Sequence, residues 1–362
     1  MRIAQVAPLY ESVPPRGYGG TERVVSYLTE ALVDLGHRVT LFASGDSLTR
    51  ATLEPMAPRA LREAPGLYDA LVPHVRMLGA VYRRAKEFDV IHCHTDYLGL
   101  PVAEYVDTPT VVTLHGRLDL PQAEACYREY TPSALISISD AQRAPLTEVP
   151  FLATIPHGLP QALYPFRERA DGYLAFVGRI SPEKRVDSAM RVARDAGLSL
   201  RIAAKVDPAD RTYFESEIRP LLESTPNVEF LGEIGDRAKA QLLGGATALL
   251  FPIDWPEPFG LVMIEALACG TPVIARRRGS VPEVLRDGAT GFLCETETEM
   301  VNAIERLREI SRRRCREEFE ARFTDRVMAK RYLDVYQRLL AHRAPANVES
   351  AQISHVDQLF NS

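Results

Sequence analysis

The chain has 362 residues, 46% of them hydrophobic and 25% charged, with a formal net charge of -5. This length exceeds one typical core and fits two domains of roughly 150 to 200 residues, which implies a cleft between them. The acidic balance argues against nucleic acid, and five scattered cysteines (Cys93, Cys126, Cys269, Cys294, Cys315) without a CxxC pair fit neither a disulfide framework nor a zinc cluster.

The cysteine usage points to a reducing cytoplasm. The opening MRIAQVAPLY runs into a polar Gly/Pro loop, with no apolar run of the length a signal peptide or membrane span needs, so no stable membrane insertion is expected. Short apolar runs then alternate with helical patterns: Ile3 to Pro8, a helix from Thr21 to Leu35, Arg38 to Ala43, Asp89 to His92, Thr110 to Leu114 and Ala134 to Ile138. Such alternation predicts an α/β fold, a parallel sheet wrapped by helices. In the first helix Gly19-Gly20-Thr21 offers a flexible entry with a hydroxyl cap and Gly36 a left-handed exit.

A second series starts at Tyr173 with YLAFVG and continues with LRIAA, VEFLG, ALLFP and PVIA. The same architecture is therefore predicted twice. Between the two series, IPHGLPQALYPFRERADG (155 to 172) has prolines, glycines and charges without periodicity, as a linker would. The expected domains are 1–160 and 161–324, followed by a helix over 325–342 that can cross back to the first domain and a loosely ordered tail over 343–362.

Ligands of open α/β sheets sit beyond the carboxyl ends of the strands. Gly17-Tyr-Gly19-Gly20-Thr-Glu22-Arg23 follows the first strand there but lacks the third glycine of a dinucleotide fingerprint, since Val24 stands in its place. Its bare amides suit either an ordinary turn or an anion at a helix N-terminus. After YLAFV, Gly178-Arg179-Ile-Ser-Pro-Glu183-Lys184-Arg185 sets cations just past a strand end, where Arg179 can form a bidentate pair and Lys184 a point charge on a pyrophosphate.

The stretch WPEPFGLVMIEALACGTPVIA (255 to 275) is mostly apolar yet keeps Glu257 and Glu265, eight positions apart. With a helix starting near Gly260, the amides of Phe259, Gly260, Leu261 and Val262 form its positive end, worth about 0.3 to 2 kcal/mol to a nearby anion. Carboxylates on either side would accept hydroxyl hydrogens, each bond contributing roughly 1.5 to 3 kcal/mol. His92 and His94 alternate on one strand face without a third ligand nearby in sequence, and the chain has no Asp-x-Asp, so no metal is expected. RRRCREEFEAR (312 to 322) reads as a solvated helix face with internal charge pairing, and Glu295, Glu297 and Glu299 as charge bias at a helix start.

The two glutamates bracketing seven residues, with GGTER, VIHCH, VVTLHG, ISISDAQR, GRISPEKR and GSVPEVLRDGATGFL in order, resemble the signature of retaining glycosyltransferase family 4, which has the GT-B fold of two Rossmann-like doubly wound domains. The resemblance covers most of the chain. It implies a metal-independent transfer of a sugar from a nucleoside-diphosphate sugar, UDP-glucose by default, to a hydroxyl acceptor that is a saccharide, lipid-linked or a small molecule. No cofactor is implied beyond the sugar nucleotide. By the same resemblance Arg179 and Lys184 hold the donor diphosphate, Gly19 and Gly20 reach toward the phosphates, and Glu257 holds the sugar hydroxyls with the amides of Phe259 and Gly260. Glu265 takes the ribose, His115 approaches the sugar across the cleft, and the backbone around Leu231-Gly232-Glu233-Ile234 contacts the base. Departures are Arg185, where the family often has glycine, Ala204 and Lys205, also at glycine positions, and His157-Gly158 in place of Asn-Gly. Lys205 follows a strand end and is a candidate phosphate contact. A nucleotide-sugar epimerase of the same fold is the alternative.

Overall fold

The computed structural model describes residues 1–66, 69–130 and 134–343; the expected tail from 344 onward lies outside the described residues. Two all-parallel sheets carry the chain. The first has seven strands, β1 (Arg2–Val6), β2 (Arg38–Ser44), β3 (Thr52–Ala57), β4 (Val90–Cys93), β5 (Thr110–Thr113), β6 (Ala134–Ser137) and β7 (Phe151–Thr154), in the order β3-β2-β1-β4-β5-β6-β7. The second has six, β8 (Tyr173–Arg179), β9 (Ser199–Lys205), β10 (Val228–Gly232), β11 (Ala246–Phe251), β12 (Val273–Arg276) and β13 (Gly291–Cys294), in the order β10-β9-β8-β11-β12-β13. Both are the sheets of a GT-B fold. Their central strands are buried on both faces, as Ile3, Ala4 and Val6 of β1 and Leu249 and Leu250 of β11 show at 0% exposure.

Strand order reverses between β1 and β4 in one sheet and between β8 and β11 in the other. Loops leaving these strands diverge to opposite sides and open a crevice at each switch point. The glycine loop follows β1, His94 follows β4, Arg179 ends β8 and the stretch to Arg185 follows it, and Trp255 to Gly260 follow β11. Topology alone therefore gathers the segments that the sequence motifs single out.

Helix α1 (Gly20–Asp34) starts at the N-cap Gly19 with no side-chain cap, so the Thr21 hydroxyl does not play the expected part. The remaining helices that bear on the site are α2 (Asp236–Gly245), α3 (Leu261–Ala268), α4 (Arg312–Arg322) and α5 (Asp325–Arg343). Helix α4 has the expected exposed face and internal charge pairs, Arg316 with Glu320 and Arg322 with Glu318, but its other face is packed: Cys315 and Phe319 are fully buried, and two arginines turn inward onto carbonyls left open at helix ends. Arg316 donates to Ala268 O at 2.6 Å at the end of α3, and Arg312 to Gly244 O at 2.7 Å at the end of α2. A guanidinium fork can satisfy several carbonyls at once, which a count of charges in the sequence does not disclose.

Helix α5 lies against the first sheet, with the Tyr336 hydroxyl 2.7 Å from His92 Nδ1 and the Tyr332 hydroxyl 2.9 Å from Thr113 Oγ1. The two chain crossings between the sheets are bonded to each other. Leu159 N donates to Phe323 O at 2.8 Å and Asp325 N to Leu159 O at 2.9 Å, and a Cβ on Gly158 would overlap the Thr324 carbonyl.

Candidate active site

A cleft of about 770 Å³ opens between the two sheets. Arg179, Lys184, Lys205, Glu257, Glu265, His115, Gly19, Gly20, Phe259, Gly260, Leu261 and Val262 all line it. Of the stretch Leu231-Gly232-Glu233-Ile234, the last two line it and Leu231 and Gly232 do not. Leu231 sits on the edge strand β10 and is 37% exposed, and Gly232 turns the chain with φ 70°, so that the cleft is reached only by the next two residues, Glu233 and Ile234.

The floor of the cleft is built by α3. Gly260 precedes it as N-cap in a left-handed conformation, φ 78°, and a Cβ there would crowd Met263 and Phe251. That turn brings the N-terminal residues of α3, Leu261 and Val262, to the cleft wall together with Arg179 and Lys184. Arg179 ends β8, next to Lys205, its registered partner on β9. Its Nη2 donates to Glu183 Oε1 at 2.6 Å, and its Nε stands 3.3 Å from Asp210. Lys184 is paired with Glu257 and lies 4.8 Å above the ring of Trp255, whose indole Nε1 donates to the same Glu257 oxygen at 2.9 Å. Arg185 adopts φ 54° and ψ 47°, which is the physical reason a glycine suits this place; here Asp187 holds the guanidinium at 3.1 Å.

Glu265 is 3% exposed and accepts on Oε1 from the Tyr164 hydroxyl at 2.7 Å and from Lys239 Nζ at 2.5 Å. Burial and the charge of Glu265 push the Tyr164 hydroxyl well above the usual phenol range, so it stays a donor. Among the described cations that line the cleft, Arg23 is paired with Asp236, Arg117 with Asp119, Arg179 with Glu183, Lys184 with Glu257 and Lys239 with Glu265, whereas Lys205 has no carboxylate within ion-pair distance. Lys239, Tyr164, Trp255, Arg23 and Asp236 escaped sequence reasoning as site residues. Trp255 and Arg23 stand inside the motifs quoted above, but Lys239 and Tyr164 lie in stretches with no pattern of their own.

Both domains contribute. Tyr18 N donates to Glu233 Oε1 at 2.8 Å, the Ser139 hydroxyl to Pro258 O at 2.7 Å, and the amides of Asp140 and Ala141 to the Glu283 carboxylate at 2.8 and 2.7 Å. His115, just beyond β5, faces the α3 side through His157, whose ring stacks on it at 5.2 Å and meets Phe259 edge-on at 4.8 Å. The ring nitrogens of His92 are bonded to Tyr336 and Thr113, and those of His94 to Gln5 and His115.

Comparison with known proteins identifies the family. The profile described as "Glycosyl transferases group 1" matches residues 166–323, and the one described as "Glycosyltransferase Family 4" matches residues 18–162. The chain belongs to glycosyltransferase family 4. It is 26% identical to the phosphatidyl-myo-inositol mannosyltransferase of Mycolicibacterium smegmatis over 98% of this chain and 93% of that protein. Among solved structures it is similar to AviGT4, a glycosyltransferase involved in avilamycin A biosynthesis, with 26% identity, a TM-score of 0.72 and coverage of 94% of this chain and 98% of that one. The Anabaena HepE structure with UDP and glucose shares the fold at 19% identity, with a TM-score of 0.72 over 93% and 99% of the two chains. As a family 4 member the chain is a GT-B glycosyltransferase. No described helix is long and apolar enough to cross a membrane.

Proposed function

We propose that this glycosyltransferase takes its sugar from a nucleoside-diphosphate sugar, UDP-glucose by default, and transfers it to a hydroxyl acceptor with retention at the anomeric carbon and without a metal or other cofactor. The observation that carries this reading is the placement of Arg179, Lys184 and unpaired Lys205 around the amide end of α3, with Glu257 and Glu265 on either side. A diphosphate there meets three cations and a helix N-terminus. Glu257 is spaced for hydroxyls of a hexose on one flank and Glu265 for those of a ribose on the other.

In the reaction the anomeric C–O bond to the diphosphate breaks and the bond to the acceptor oxygen forms on the same face of the sugar. The departing phosphate oxygen takes the acceptor proton. Charge that develops on the diphosphate is stabilised by Arg179, Lys184 and the amides at the start of α3, a preorganised arrangement that supplies what a divalent ion would otherwise supply. HepE, which shares the fold, was solved with UDP and glucose, and a uridine nucleotide is the default on that account. The matched relatives carry different names, a phosphatidyl-myo-inositol mannosyltransferase and a glycosyltransferase of avilamycin A biosynthesis, and the acceptor of this chain is assigned to loops of the first domain, where such specificity varies.

The test is a thermal-shift screen against UDP-, GDP- and ADP-sugars, followed by NMR of the anomeric proton in the product. One nucleotide should raise the midpoint, because a ligand held only by the folded state adds about 2.7 kcal/mol at 100 times its dissociation constant. Inversion at the anomeric carbon, or turnover that disappears with a chelator, would overturn the corresponding part of the reading.

A further inference from the structure

Behind the cleft a row of buried side chains runs from β1 to His115. Gln5 is fully buried, with its amide nitrogen 3.4 Å from His92 Nδ1 and 3.5 Å from the Tyr336 hydroxyl. Its carbonyl Oε1 is 2.8 Å from His94 Nε2, and His94 Nδ1 is 2.9 Å from His115 Nε2. His115 Nδ1 is buried without a hydrogen-bond partner among the described residues.

We propose that Gln5 and His94 are positioning residues that fix the tautomer of His115, leaving its Nδ1 as a bare acceptor for a hydroxyl of the bound sugar. The logic is one of donors and acceptors. A carboxamide oxygen only accepts, so His94 Nε2 carries the hydrogen. Burial keeps His94 neutral by holding its pKa well below that of a free imidazole, which leaves Nδ1 a lone pair. That lone pair can bond His115 Nε2 only if the latter donates, and a neutral His115 then has no hydrogen on Nδ1. Stacking with His157 at an interplanar angle of 18° holds the ring against rotation. A sugar hydroxyl is a donor of the right kind for an orphaned acceptor, whereas the opposite tautomer would aim an N–H at that place. The sugar half of this inference rests on the function proposed above; the tautomer does not.

The experiment is long-range ¹H–¹⁵N NMR of the ligand-free, histidine-labelled full chain, paired with donor turnover. Wild-type protein should show His115 protonated on Nε2. Gln5→Leu and His94→Leu should give a mixture of tautomers, whereas His94→Asn, whose Oδ1 takes the place of Nδ1 as acceptor, should keep the wild-type form and serve should the leucine variants not fold. Turnover of His94→Leu should fall on the order of tenfold to a hundredfold, the loss expected when one buried hydrogen bond is left unmade, with His94→Asn recovering most of it and the donor KM little changed. A wild-type His115 protonated on Nδ1, or a tautomer unmoved in both leucine variants, overturns the relay. A moved tautomer with unchanged turnover overturns the bond to the sugar. Wild-type protein that consumes no nucleotide sugar would fail the functional reading while leaving the relay standing.

Discussion

Lys239 and Glu265, 26 residues apart in sequence, meet at 2.5 Å on the inner wall of the cleft, where Glu265 is almost inaccessible to water. Removing the ammonium would leave a buried carboxylate with only the Tyr164 hydroxyl against it. Lys239→Met should therefore destabilise the protein by about 3 to 5 kcal/mol, read as a lower urea midpoint at an unchanged m-value. Glu265→Gln, which keeps an acceptor for Tyr164, should cost less and should weaken the shift given by a nucleoside diphosphate. A Lys239→Met midpoint equal to wild type would show the pair to be solvated.

Lys184 bridges Glu257 and the face of Trp255 in the cleft, on the side where the proposed function seats the diphosphate. Since Trp255 still donates to Glu257 when the lysine is gone, Lys184→Ala should fold and should lose on the order of 10²- to 10³-fold in kcat, as expected for one lost charge-stabilising group. Near-normal turnover would contradict its role.

Gly279 stands with φ 52° directly over the backbone of Glu257, so that a Cβ would overlap both the amide nitrogen and the carbonyl oxygen, and Ser280 N donates to that carbonyl at 2.9 Å. Gly279→Ala should cost about 1 to 3 kcal/mol through backbone strain and should lower turnover by displacing Glu257. A variant with full activity and an unchanged melting midpoint would show that the loop yields without moving the carboxylate.

Buried histidines make stability depend on pH. Desolvation holds His115 down to about 3 and His92, His94 and His157 well below the ordinary value of 6.5. Below pH 6.5 the unfolded chain takes up protons that the folded chain refuses, so stability falls as pH falls. Each such group can remove at most about 1.4 kcal/mol per pH unit once the unfolded histidine is fully charged. Urea midpoints should drop steeply from pH 6.5 to 5, and His157→Asn should flatten that slope. A flat profile over this range would mean that these rings are protonated in the fold.

Much of the architecture was legible because the central strands are buried on both faces and read as apolar runs. The strands that escaped were β3, β7 and β13, all at sheet edges. Edge strands face water on one side and need not be apolar: β3 reads Thr-Leu-Glu-Pro-Met-Ala, with a proline that a central strand would not tolerate. The solvated, charge-paired face of 312 to 322 was legible, but its packed face was not, since arginines that cap buried carbonyls carry the same letters as arginines that solvate a surface.

For the site, the sequence by itself determined the residues whose role depends on local backbone: the glycine turn before α3, the cations at the end of β8 and just after it, and the two acids, Glu257 on the entry loop and Glu265 within α3. Tertiary structure alone decided what those groups touch. Lys239 reached Glu265, Gln5 reached His94, Glu233 rather than Leu231 reached the cleft, and Lys205 was left without a counter-charge. Local geometry follows from neighbours along the chain, where sterics and helix periodicity act. Pairing across a cleft follows from how two sheets are set against each other, and no spacing within one strand or helix encodes that.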